Sequence, residues 1–168
     1  MERVLKRLDS VHKKLLSTVA QLEPSVYSIR PSEDEWSVAE IVHHLCLVEG
    51  RIIHELKGAI AREPRRVAFL RRFIPTSIFA LRFIRVKSPK GMTPLDPPSR
   101  DVALQNFDQV RNGLKELCAE HGTQRFRNIV FKNFLIGEID GVATVSFVGY
   151  HEQRHLQQIR DVLRKLGK

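Results

Sequence analysis

Two histidines, His151 and His155, stand four residues apart near the end of the chain. In a helix, positions i and i+4 lie on one face, so their imidazoles would project side by side. The face can be read from its neighbours. Val148, His151, His155, Ile159, Val162 and Leu166 step by three and four, the period of a buried helical stripe. A buried imidazole without a partner costs about 1–3 kcal/mol. Two of them side by side ask for a shared partner, and a divalent metal is the simplest one. A third histidine, His44, falls on another apolar stripe with Ile41, Leu45, Val48, Ile52 and Leu56. Three imidazoles leave at least one metal position open, which is the pattern of a catalytic site. All-nitrogen ligation suits Zn, Ni, Cu or Fe(II) and argues against Mg or Ca.

These residues need helices to carry them. Val4, Leu8, Val11, Leu15, Val19 and Leu22 predict a first amphipathic helix over residues 2–22, ended by Pro24. The second helix has a well-signed start: Ser37 and Glu40 form a capping box, and Trp36 and Ile41 a hydrophobic staple. Ser99 can cap a third helix with the stripe Ala103, Phe107, Val110, Leu114 and Leu117, ending near His121 and Gly122. Residues 128–139 read as a loop with Gly137 in a turn. Asp140 caps a fourth helix that stops at Gly167. Residues 62–98 are broken by six prolines and read as short helical pieces rather than strands. The fold class is therefore all-α: a four-helix bundle with one long crossover connection between helices two and three, as a single domain over residues 1–168.

Composition narrows the setting. Residues 51–90 carry eleven Lys or Arg against Glu55 and Glu63, which is the whole net charge of +9. Such a block could meet an anionic small molecule, a membrane surface or nucleic acid. No groove-reading motif or stacking platform is recognisable, which counts against nucleic acid. Residues 1–16 lack a secretory apolar region and no run is long enough to span a bilayer. Cys46 and Cys118 read as reduced thiols of a cytoplasmic protein. Cys46 should point away from the metal, and Glu49 should form an ion pair with a neighbouring helix. His12 reads as a packed histidine near the inner face, and His43, His54 and His121 as surface residues.

Two motifs together resemble a known family. Trp36-Ser37-x-x-Glu40-x-x-x-His44-Leu45-x-x-x-Glu49 is similar to the second-helix motif of the DinB/YfiT-like superfamily of metal-dependent enzymes. Gly137-Glu138-Ile139-Asp140, followed by Tyr150-His151-Glu152-x-Arg154-His155-x-x-Gln158-Ile159, is similar to its last-helix motif. The resemblance implies a four-helix bundle, a divalent metal (often zinc or nickel) on His44, His151 and His155, and a homodimer. It also implies hydrolase chemistry or S-transfer with a low-molecular-weight thiol, as in bacillithiol S-transferases and mycothiol-dependent maleylpyruvate isomerase. The metal would activate water or thiol against a small electrophile, with Arg65, Arg66, Arg71 and Arg72 placed to dock an anionic thiol or acidic substrate. Two other readings stand beside it. One is a non-catalytic, stress-related bundle in which the metal only ties helices together. The other is a zinc peptidase, because residues 151–155 spell H-E-x-x-H with Glu152 as the candidate base, reaching the rim of the site.

Overall fold

The computed structural model describes residues 1–73, 75–77, 91–133 and 135–168. Four long helices dominate: α1 (Glu2–Ala20), α3 (Val38–Ile60), α4 (Arg100–Arg127) and α5 (Gly141–Lys165). A short helix, α2 (Pro24–Ser28), follows α1, and a two-stranded antiparallel sheet of β1 (Val130–Asn133) and β2 (Gly137–Asp140) precedes α5. The fold is the expected four-helix bundle. α1 packs chiefly on α5 and α4, and α3 on α4 and α5. The long connection over residues 61–99 carries the chain from α3 to α4, and Phe69–Phe73 in it form a 3-10 helix. The helical pieces expected over 78–86, with Arg82, Arg85, Lys87 and Lys90, lie outside the described residues.

The helix ends follow the local chemistry. Ser37 accepts from the Glu40 amide, and the Glu40 carboxylate takes the Ser37 amide in return at 2.8 Å. Asp140 accepts from the Ala143 amide at 2.7 Å. At the far end of α5, Lys168 N–H reaches the Leu163 carbonyl and Gly167 N–H that of Arg164. That pair of bonds needs a left-handed residue, which Gly167 supplies with φ +71°.

Several expectations need correction. Residues 128–139 are not a loop but mostly a hairpin, with Phe131 opposite Ile139 and both buried. Its turn is fixed by Asn133, whose side-chain oxygen accepts from Leu135 and Ile136 amides. The first helix stops at Ala20, and Pro24 opens α2 instead of merely ending α1; a proline at the first helical position costs no hydrogen bond. The third helix does break at Gly122 (φ 67°, ψ 170°), yet a further turn carries it to Arg127. Ser99 stands at its N-cap but makes no side-chain capping bond.

The apolar core is in two parts. One, at the hairpin end, holds Leu8, Ile52, Leu114, Phe131, Ile139 and Val148. The other holds Leu15, Ile41, Leu45, Phe107, Leu156 and Ile159. On each long helix a polar residue falls between the two parts: His12, Glu49, Arg111 and Glu152.

Candidate functional site

The three histidines come together. His44 projects from the second turn of α3, and His151 and His155 from adjacent turns of α5. One ring nitrogen of each lies within 4.8 Å of the others. His151 Nε2 and His155 Nε2 are 3.2 Å apart. The His44 ring stands 5.4 Å from that of His151 and 5.0 Å from that of His155.

Hydrogen bonds on the outer nitrogens aim the rings. His44 Nδ1 donates to the Met92 carbonyl at 2.8 Å, so its free nitrogen is Nε2. His155 Nδ1 is 2.9 Å from the Gln158 side-chain oxygen, which again leaves Nε2 for the cluster. Such outer partners fix the tautomer and orientation of a metal-binding imidazole. Trp36 does more than staple the helix start: its ring lies 5.0 Å from that of His44. Burial drives the pKa of His44 below its ordinary value. It drives that of His151 well below, helped by the neighbouring histidines and Arg154. Burial thus favours the neutral form of His44 and His151.

That donor set fits a transition metal. Tetrahedral bonds of 2.0–2.1 Å put ligand nitrogens roughly 3.3 Å apart, and the His151–His155 pair already stands near that spacing. Cys46 is not among the converging groups. Burial pushes its thiol up to about 12, so it is no ready thiolate. His54 is exposed, while His43 and His121 are half-buried.

Beside the histidines lies a second polar cluster, absent from the sequence reading as a unit. Arg111 of α4 clamps Glu49 through Nε at 2.8 Å and Nη2 at 2.9 Å. Its Nη2 also donates to Glu152 at 2.8 Å, and its Nη1 to the Leu8 carbonyl. The other Glu152 oxygen is 3.1 Å from His12 Nδ1, and His12 Nε2 faces Asp108 at 3.3 Å. Burial alone would lower the Arg111 pKa, but the two carboxylates outweigh it and raise it. Burial raises that of Glu49, with Arg111 only partly offsetting it. The ion pair expected for Glu49 is therefore present. The expected place of Glu152 at the rim is not: it is 1% exposed, with both oxygens engaged. A cavity of about 10 Å³, room for one water, touches Glu49, Glu152 and His151 and so joins the two clusters.

Three of the four arginines expected to dock an anionic ligand lie elsewhere, and the Arg72 side chain is outside the described residues. Arg65 pairs with Glu138, Arg66 donates to Asn128, and Arg71 to the Ile136 carbonyl, all around the hairpin. Glu138 precedes His151 by a short strand end and ten residues of helix. At 1.5 Å per residue that is roughly 15 Å along α5. A cleft of about 330 Å³ opens instead beside Gln158, the residue that holds His155.

The comparisons with known proteins agree with this geometry. The description of the DinB superfamily matches residues 7–159, nearly the whole chain. The chain belongs to the DinB superfamily. The uncharacterized protein YuaE of Bacillus subtilis (strain 168) is 25% identical over 140 residues, covering 83% of this chain and 84% of YuaE. Among solved structures, YfiT from Bacillus subtilis superposes with a TM-score of 0.68 at 17% identity, over 99% of this chain and 87% of its own. YfiT is described as a probable metal-dependent hydrolase with an unusual four-helix bundle topology. TT2238, described as a four-helix bundle protein, superposes with a TM-score of 0.63 at 20% identity, over 95% of this chain and 98% of its own. At those identities the two structures establish the shared fold.

Proposed function

We propose that His44, His151 and His155 are the ligands of one divalent transition metal, zinc or nickel, and that the protein is a metal-dependent enzyme. Its reaction is hydrolysis, or S-transfer from a low-molecular-weight thiol, on a small electrophile. One observation carries the reading: three imidazoles converge, with the outer nitrogens of His44 and His155 already engaged. The description of YfiT as a probable metal-dependent hydrolase supports the same class. When bound, the metal would supply Lewis acidity that brings the pKa of a water or thiol toward neutrality.

The rest falls to the chain itself. The Met92 carbonyl and Gln158 hold two rings in the tautomer that offers Nε2. Trp36 covers one side of His44 and limits what can approach it. The cleft beside Gln158 is of a size to admit a small molecule. Arg111 locks α3, α4 and α5 together one turn from His151, which keeps the α3 and α5 ligands in register. On this reading the protein works in the cytoplasm as a homodimer. The peptidase reading loses its base, since both oxygens of Glu152 are committed to Arg111 and His12.

The burial of His44 and His155 favours one alternative, a metal that only braces α3 against α5. Elemental analysis of the purified protein beside His155→Ala tests the site: one metal per chain in the first and none in the second is expected. Assay of ester hydrolysis and of thiol consumption, with and without chelator, separates the two roles. Turnover lost with the metal supports the enzyme; metal without turnover supports the brace.

A further inference from the structure

Most of the net charge of the chain belongs to the crossover, and residues 64–95 contain eight Lys or Arg and no Asp or Glu. Met92, near its end, holds His44, but residues 65–71 do not serve the histidine site. They lie against the hairpin and display apolar side chains to solvent. Leu70 is 82% exposed and Phe69 67%. Leu135, at the tip of the hairpin, is 43% exposed. One bond ties the two segments: Arg71, next to Leu70, donates to the carbonyl of Ile136, next to Leu135. The display is built rather than slack. Asn133 holds the turn that carries Leu135, and Val67 is buried just ahead of Phe69. Arg62, Arg65, Arg66 and Lys132 are exposed on the crossover and the hairpin, with Arg65 paired to Glu138 and Arg66 bonded to Asn128.

We infer that this end of the bundle is a docking surface for an anionic lipid bilayer. Exposed leucine and phenylalanine side chains in a basic segment are what the headgroup boundary accepts: the apolar groups enter the acyl edge and the cations meet acidic headgroups. A second copy of the chain would set like charge against like. Nucleic acid would use the cations but give Leu70 and Leu135 nothing to bury in. The histidine cluster, further along α5, would stay clear of the membrane, and the protein would work on substrates close to the lipid surface.

Vesicle co-sedimentation tests this on the full chain, with phosphatidylserine-containing and pure phosphatidylcholine vesicles. Binding to the first, and little to the second, is expected, weakening as salt is raised. The charge-neutral pair Leu70→Ser and Leu135→Ser should weaken binding about tenfold or more, since each removes a buried isobutyl group. Arg66→Gln with Lys132→Gln should weaken it by about fivefold per charge. Circular dichroism melting of each variant checks that the bundle is intact. Absence of binding to acidic vesicles overturns the proposal. So does binding that the leucine pair leaves unchanged, or tighter retention on duplex DNA that ignores both leucines. Metal content is measured in the same samples, so failure here leaves the histidine site separately judged.

Discussion

Two polar clusters sit inside the same bundle and touch the same cavity, yet they are built on opposite principles. Around Arg111 every charge has its counterpart: a guanidinium fork meets Glu49, a second bond meets Glu152, and His12 meets the remaining oxygen. That cluster is closed. Around His44, His151 and His155 the outward hydrogen bonds leave acceptor nitrogens pointing at one another. At most one proton can sit between the His151 and His155 nitrogens. That cluster is open, with the donor chemistry of a cation site. A buried polar group is tolerated when it is paired. The first cluster is paired within the fold, and the second has a donor set that fits a metal.

The comparison is broken most severely by removing the guanidinium. Arg111→Met leaves Glu49 and Glu152 buried and uncompensated, and should cost about 3–5 kcal/mol in urea unfolding. Replacing all three with apolar residues (Glu49→Leu, Arg111→Met, Glu152→Leu) should recover most of that loss. If the single change is mild, the cluster is not the closed unit described here. The open cluster should behave the other way. Adding zinc or nickel at a hundred times its dissociation constant should stabilise the protein by about 2.7 kcal/mol. His155→Ala should abolish that gain while changing the metal-free protein little, as followed by calorimetric melting with and without metal.

The same contrast explains what could be read from the sequence. The histidine site was legible because a histidine on an apolar stripe is conspicuous, and His151 and His155 share a face. The closed cluster was equally periodic. Arg111 lies four after Phe107 and three before Leu114, and Glu49 lies four after Leu45 and three before Ile52. Both occupy core register. Glu49 reads as half of an interhelical ion pair, but its partner is hidden, because the spacing of the third helix puts Val110 on the stripe as readily as Arg111. The signal was the coincidence of a cation on one helix with carboxylates on two others, all at inward positions. The hairpin hid for another reason. Four-residue strands carry little periodicity, and their pairing depends on Asn133 and Gly137 acting at a distance from the apolar residues. Met92 could not be found at all, because it contributes only its carbonyl and any residue could do so.

A smaller effect sharpens the open cluster. Gln158→Ala removes the acceptor that fixes His155 without touching a proposed ligand. Loss of such an outer partner weakens metal binding about 10–100-fold. Titration calorimetry should find this with unfolding of the metal-free protein almost unchanged. An equal fall in metal-free stability would mean that Gln158 serves the helix and not the ring.

The gentlest probe is acid, applied to the metal-free protein. Burial sets the folded pKa of His44 and His151 below the ordinary value of 6.5, so below that pH the unfolded chain takes up protons that the folded chain refuses. The unfolded state is then favoured, and stability should be full above pH 6.5 and decline as the pH falls from there. The closed cluster acts with the opposite sign. Glu49 is raised above 4.5 by burial, so its contribution weakens stability as pH rises through that value and relieves the loss as pH falls. Arg111 does not titrate in this range. A melting temperature that declines below pH 6.5, with a shallower decline in His44→Gln/His151→Gln, would assign the slope to the open cluster. A slope that survives both changes would place the acid-sensitive groups elsewhere and remove the claim that these rings are held neutral by burial.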